Sequence, residues 1–355
     1  MHLLQRCAAG GCRGKLQAAP GWRRGHKKNS FTDSRQMAQI SIIIPCYNCG
    51  KTILKCLESV KRQSCRDFEL IAVDDASQDD TVARLQAFLH DNPEVAAKIL
   101  RHERNHGVSK TRNDGLAAAE GAFVAFLDAD DELDEDFCAV MTRTAAEEDA
   151  DMVCGNIQVH TLKGGCRRQV RGRAGASRIA ITPGDGRQLF RALPYFDSSC
   201  AKIFRRSVLL RCGIAFNNGL RYAEDTLFSC SVALNARRIV LLPGYCGYHY
   251  LLNDNSCSVC IDPQGRLDSL KDFLVELERR TPETARRILL RKSLEYVWTI
   301  KKYGGDRKRS MLDAARKDGQ LFSILDDSIR RFGGFKHRMV WRFLRRGVGA
   351  ALKFW

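Results

Sequence analysis

The sequence predicts an α/β protein: a mostly parallel sheet with flanking helices, followed by a C-terminal helical extension. Three observations carry this. From residue 40, short apolar runs alternate with stretches whose apolar residues recur at helical spacing. Strands separated by helices of that length pair in parallel, because a parallel connection needs a crossover of a dozen residues or more. Beyond residue 262 only helical spacing remains.

In order, "ISIIIPC" (40–46) is a β-branched run stopped by Pro45, and "GKTILKCLESVKRQ" places Ile53, Leu54, Leu57 and Val60 on one helical face. "FELIAV" (68–73) is a second strand, and "DTVARLQAFLH" sets Val82, Leu85, Phe88 and Leu89 at helical spacing. "AKILRH" (97–102) is a third strand, "GVSKTRNDGLAAAEG" a helix bounded by glycine, and "AFVAFLD" a fourth strand. "RLDSLKDFLVELERR" and "ETARRILLRKSLEYVWTIKKY" are amphipathic helices expected to pack on the sheet domain.

The net charge of +17 over 355 residues is uneven. Residues 1–36 carry eight Lys/Arg against one acid and residues 331–355 carry seven against none, so the body is close to neutral. Residues 1–36 read as a disordered basic extension, with Met37 a candidate start directly before "AQISIIIPCYN". The end, "GGFKHRMVWRFLRRGVGAALKFW", interleaves basic residues with Trp341, Phe343, Leu344, Phe354 and Trp355. That composition suits an anionic membrane surface, with a docked helix as the alternative. No run approaches the ~18 apolar residues of a membrane span. Fifteen scattered cysteines read as reduced thiols of a cytoplasmic protein. Two CxxC pairs, Cys46/Cys49 and Cys257/Cys260, have the spacing of half zinc sites but stand far apart in sequence.

Ligands of a parallel sheet bind beyond the carboxyl ends of its strands. Those ends read "PCYN", "DDAS" and "DADD", which gathers Tyr47, Asn48, Asp74, Asp75, Asp128, Asp130 and Asp131 in one crevice. Carboxylates held so close repel one another unless a cation joins them, and an oxygen-only set suits magnesium or manganese. Taken singly, each acid has an ordinary reading as a helix cap; their joint placement favours a site.

Through "SIIIPCYN", "LESVKRQSCRDFELIAVDDASQDDT", "NHGVSKTRNDGL" and "AEGAFVAFLDADD", then "SCAKIFRRSVLLRCGIAFNNGLRYAEDTLF" and "YHYLLNDNSCS", the chain resembles the inverting family-2 glycosyltransferases of bacterial cell-surface polysaccharide synthesis. The resemblance implies the GT-A fold, a Rossmann-like sheet. It implies that Pro45, Tyr47 and Asp75 hold the nucleotide base, that Asn48 belongs to the donor-binding set, that Arg112 lines the donor site, and that Asp128 lies near the ribose or metal. It implies Asp130 as the direct ligand of Mn2+ or Mg2+, and Asp225 as catalytic base. The expected organisation is the extension at 1–36, a nucleotide-sugar-binding half at 37–135, an acceptor-binding half at 136–262, a helical extension at 263–332 and a basic amphipathic tail at 333–355. The extension 1–36 and the segment beyond about residue 262 match nothing diagnostic, and segment 155–178, polar and basic, stands where an acceptor-side loop would lie.

The residues suit that chemistry. Negative charge develops on a departing diphosphate and a divalent ion on Asp130 offsets it. Tyr47 offers a face to a flat base, Asp75 can accept from a base N–H, and one acceptor-side carboxylate must take the proton of the attacking hydroxyl. Asp225 also reads as the N-cap of the helix that follows it. The implied partners are a nucleotide-diphospho-sugar, with UDP the favoured carrier, and a glycan or lipid-linked acceptor, at the inner face of the cell membrane. Two rival classes fit less well. A nucleotidyltransferase needs a Gly-rich basic loop where the chain has "PCYNCGKT". Nucleic-acid binding would set phosphates against an acidic sheet edge.

Overall fold

The computed structural model describes residues 39–160, 166–169, 178–183, 186–252, 263–303, 308–334, 337–338 and 341–342. The extension 1–36, most of the basic loop and the Cys257/Cys260 pair fall outside them. The chain begins β1 (Ile40–Cys46), α1 (Ile53–Lys61), β2 (Phe68–Asp74), α2 (Thr81–Asp91), β3 (Ala97–Arg101), α3 (Val108–Ala118) and β4 (Phe123–Phe126). It continues with β5 (Glu132–Leu133), α4 (Phe137–Glu147), β6 (Met152–Cys154), β7 (Ile157–His160), β8 (Cys166–Gln169) and β9 (Ile179–Ile181). Then come α5 (Gly186–Ala192), β10 (Lys202–Arg205), α6 (Arg206–Cys212), α7 (Glu224–Asn235), β11 (Ile239–Leu241) and β12 (Tyr248–Leu251). The extension supplies α8 (Pro263–Arg280), α9 (Arg287–Tyr303), α10 (Lys308–Lys317) and α11 (Gly319–Phe332).

Eight strands form one sheet in the order β3-β2-β1-β4-β10-β6-β11-β9, and β5-β12-β7-β8 form a second. β1 runs parallel to both β2 and β4, with Cys46 opposite Asp74 and Ile43 opposite Phe126. The chain leaves β1 toward β2 and β3 on one side, then returns to β4 on the other, which opens a crevice beyond the ends of β1 and β4. β10 enters antiparallel between β4 and β6, so the sheet is mixed.

The period of two along the strands sorts the core. Ile43, Ile71, Val73, Val124 and Phe126 face one apolar layer, while Ile42, Ile44, Leu70, Ala72 and Ala125 face the other. The first layer also holds Phe204, Phe216 and Phe228. Phe216 and Phe228 stack at 4.2 Å, and Phe126 meets Phe216 edge-on at 5.0 Å. Leu270, Phe273, Leu274, Leu277, Val297, Ile300 and Ile329 of the extension belong to that same layer. The extension is therefore part of the core that supports the sheet.

Two apolar expectations shift. Leu54 is exposed, because α1 presents Ile53, Cys56, Leu57 and Val60 to the core instead. Trp341 is buried: its ring lies 5.8 Å from that of Phe322, and its Nε1 donates to Asp326 at 2.9 Å. This tryptophan is docked on α11 and does not face a membrane; residues 343–355 lie outside the described set. No helix among the described residues is long and apolar enough to cross a membrane.

Candidate active site

The loops after β1 and β2 are laced together. Asn48 N–H donates to Ser77 Oγ at 3.0 Å, and Asn48 Oδ1 accepts from Gln78 N at 2.8 Å. Tyr47 is 51% exposed, so its apolar face stands in water at the crevice edge. Pro45 is half-buried beside it. Asn48, Ala76, Ala201 and Ala223 adopt left-handed backbone, with φ of 50°, 62°, 57° and 64°. Each such turn in a residue with a side chain costs of order 1–3 kcal/mol and persists only where neighbours hold it. All four flank the strand ends or the start of α7.

Asp75 is buried and heavily used. Its Oδ1 accepts from His102 Nδ1 at 2.6 Å and His106 N at 2.8 Å, and its Oδ2 from Gly107 N at 2.8 Å. Burial pushes its pKa up, but these donors outweigh burial and hold it below the usual carboxylate range. A carboxylate has about four acceptor positions, so one stays open to a ligand N–H. His102 continues to Asp114 at 2.8 Å, a tie that residue spacing did not reveal.

The turn after β4 divides its three aspartates by environment. Asp131 is buried, accepting from the Tyr248 hydroxyl at 2.6 Å and from Leu251 N at 2.9 Å. Burial, and then the charge of Asp128, push it up to about 8. The Tyr248 hydroxyl also accepts from Asp128 N at 3.2 Å, so the second sheet fastens the whole turn. Asp131 is thus a structural acid, and the crevice loses it as an open ligand. Asp128 Oδ1 pairs with Arg112 Nη2 at 2.8 Å, and its Oδ2 accepts from Cys200 Sγ at 3.5 Å. Asp130 stands half-buried at the tip of the turn.

Arg112 joins the halves of the site. It is 5% exposed, reaches Glu224 Oε1 with Nη1 at 3.3 Å and lies 5.3 Å from the Phe216 ring centre. Its guanidinium is committed to two carboxylates, so it braces the site more than it lines it. Glu224 opens α7, where burial and then the Asp225 charge push its pKa up to about 7. Asp225 follows in the same first turn, its Oδ1 accepting from Thr226 N at 2.7 Å. Burial raises its pKa, against the lowering pull of Arg112. The N-cap position belongs to Ala223, so the cap reading of Asp225 is corrected. The left-handed turn at Ala223 starts the helix two residues earlier than an Asp cap would.

These raised acids bear on stability. Glu224 binds its proton more tightly folded, at about 7, than unfolded, at about 4.3. Its favourable contribution is present below the unfolded value and is lost as pH rises through the folded one. Asp131 acts in the same sense. The melting temperature should therefore fall between about pH 5 and pH 8, and Glu224→Gln should flatten that fall, as calorimetry would read. An equal slope in wild type and variant would remove Glu224 as its source.

The donor set admits a divalent ion of the magnesium or manganese kind. Among the described residues no three His, Cys, Asp or Glu side chains form a metal cage. Such ions usually take one or two carboxylates with substrate phosphates and water, and Asp130 beside Asp128 offers that.

Segments carrying Asp225 and Cys200 rest on α9. Lys292, 4% exposed, donates to Asp197 at 3.1 Å and to Glu295 at 2.9 Å, while the Tyr222 hydroxyl donates to Glu295 at 3.3 Å. The sequence marked these residues only as a helical face. Lys292→Met should destabilise the fold by about 2 kcal/mol, the half-exposed acids limiting the loss. Urea unfolding measures it, and an unchanged midpoint would show that the lysine is not a tie.

Residues 41–213 match the profile described as Glycosyl transferase family 2. The uncharacterized glycosyltransferase EpsJ of Bacillus subtilis is 30% identical over 221 residues, which is 61% of this chain. The aligned part spans 62% of EpsJ, less than two thirds of its length. Staphylococcus aureus TarS 1–349, crystallised with UDP-GlcNAc, superposes with a TM-score of 0.72 at 23% identity, covering 89% of each chain. The mannosyltransferase PcManGT of Pyrobaculum calidifontis, in complex with GDP-Man and Mn2+, superposes with a TM-score of 0.55 at 19% identity, over 88% of this chain and 85% of that one. These likenesses show the sheet architecture expected from the sequence, the GT-A fold.

Proposed function

We propose that this chain, whose residues 41–213 match the Glycosyl transferase family 2 profile, moves a sugar from a nucleotide-diphospho-sugar to a hydroxyl of a glycan or lipid-linked acceptor, with inversion, in the making of a cell-surface polysaccharide. UDP is the proposed carrier, in line with the UDP-GlcNAc held by the structurally similar TarS.

One observation carries the reading. A single buried guanidinium, Arg112, holds Asp128 of the strand-end turn and Glu224 at the start of α7 together. Donor-side acids and the acid pair Glu224–Asp225 therefore share one crevice at the switch point of the sheet. Pro45, Tyr47 and Asn48 flank the base, and the open acceptor position of Asp75 takes a base N–H. Asp130, with Asp128 beside it, would hold a divalent cation, which supplies positive charge against the departing diphosphate. Asp225 takes the proton of the attacking hydroxyl at its carboxylate oxygen; burial makes it a stronger base than an exposed aspartate. Glu224 stays on Arg112.

Asp130→Ala should lose manganese-dependent UDP binding while the fold survives, since removing one of several close carboxylates relieves repulsion. Calorimetric titration of UDP with and without manganese decides it. Unchanged affinity in the variant under both conditions would sink the assignment. A thermal-shift panel of nucleotide-diphospho-sugars then names the donor.

A further inference from the structure

We propose that His102 is a positioning residue that sets base specificity. It fills one oxygen of Asp75, so that this carboxylate receives a base with a single ring N–H, uracil or thymine, and rejects guanine. The role rests on the donor reading above, with Asp75 facing the base.

The protein itself occupies most of this carboxylate. Asp75 N donates to the Cys46 carbonyl at 2.8 Å, which ties the residue to the end of β1. Each carboxylate oxygen has about two acceptor positions, and those of Oδ1 are taken by His102 Nδ1 at 2.6 Å and His106 N at 2.8 Å. Oδ2 accepts from Gly107 N at 2.8 Å, which leaves one position on that oxygen among the described residues. His106 and Gly107 offer backbone N–H groups, which any residue but proline supplies. His102 offers a side chain, so that bond is set by the residue type.

The imidazole is held from its far side. Its Nε2 meets Asp114 Oδ2 at 2.8 Å, and Lys110 Nζ donates to both oxygens of Asp114 at 2.5 Å. The side chain is 12% exposed, with the His106 ring edge-on at 5.3 Å. The backbone N–H of His102 donates to the Asp74 carbonyl at 2.9 Å. A ring fixed at both nitrogens does not make way for a ligand as a water would.

The bases differ in what they bring to a carboxylate. Uracil and thymine offer one N–H flanked by two carbonyls, so a single acceptor position satisfies them. Guanine offers a ring N–H and an amino N–H side by side, which suit the two oxygens of one carboxylate. With Oδ1 filled, the amino group is left against His102 without an acceptor. An unpaired donor in such a contact costs about tenfold or more in affinity. Hypoxanthine is the informative probe, because it is the same purine without the amino group and brings one N–H.

Full-length protein with manganese is titrated calorimetrically with UDP, GDP and inosine diphosphate. Wild type should bind inosine diphosphate about tenfold or more tightly than GDP, although the two differ by one amino group. His102→Ala opens a position on Oδ1 and should bring these two affinities to within about twofold. His102→Asn places an amide N–H near the lost Nδ1 and should restore the wild-type gap. A merely structural histidine would shift all three ligands together and leave the gap as it was. Equal affinity for the two purine diphosphates in wild type, or an unchanged gap in His102→Ala, would overturn the role. Exclusion of both purine diphosphates from wild type and both variants would mean that ring size selects the base, and would overturn it as well. Should His102→Ala fail to fold, the wild-type gap decides alone. Absence of UDP binding by wild type would instead strike the donor reading.

Discussion

Asp225→Asn is expected to lower the rate of sugar transfer by about 10²–10⁴, the usual share of general-base catalysis, and to leave UDP affinity near wild type. Asparagine keeps an oxygen for Thr226 N, so the first turn of α7 retains the bond seen at 2.7 Å. What it loses is the ability to take up a proton. Since Ala223 holds the N-cap position, the bland role left to Asp225 is charge at a helix start, worth about 0.3–1 kcal/mol. That role affects stability slightly and rate hardly at all. The pH profile gives a second readout. A base must be unprotonated, and burial raises this one, so the rate should fall on acidification at a pH above the ~3.9 of an ordinary aspartate. Full transfer activity in the variant would remove Asp225 as base and turn attention to Glu224. Loss of UDP binding would show that the residue serves the donor side.

Arg112→Met should destabilise the protein by about 3–5 kcal/mol, the cost of leaving buried carboxylates without their cation. Asp128 and Glu224 both depend on this guanidinium, at 2.8 and 3.3 Å, and it is almost fully buried. The methionine preserves the apolar stem beside Phe216, so the loss reports charge and hydrogen bonding more than volume. Adding Glu224→Gln should recover part of the stability, because one of the two stranded charges is then gone. Urea unfolding of the single and double variants measures this. A wild-type midpoint for Arg112→Met would mean that Arg112 is not the brace between the halves.

Much of the site's address was legible. The ends of β2 and β4 follow from apolar runs that give way to Asp74 and Asp128, β1 runs one residue past Pro45 to Cys46, and a parallel sheet puts ligands at these ends. Tyr47 and Asn48 lie where that rule places them. The division of labour among the acids was not legible. Asp128, Asp130 and Asp131 look alike in a string, yet one is an ion-pair partner, one stands at the turn's tip and one is buried under Tyr248. The same holds for Asp225, whose distance from the helix cap depends on the left-handed turn at Ala223, a conformation that alanine does not announce.

By itself, the sequence determined the alternation of strand and helix, the faces that are buried, the strand ends that carry acids and the basic character of both termini. These depend on local period and composition, and neighbours in the chain express them directly. Only the tertiary structure decided the antiparallel entry of β10, the second sheet, the packing of α8, α9 and α11 into the first core, and the pairing of charges. Arg112 meets Glu224 across 112 residues, and Tyr248 meets Asp131 across 117. Such pairs are chosen by which surfaces the packed core brings together, and the pKa of each acid follows from the burial and partners it then receives.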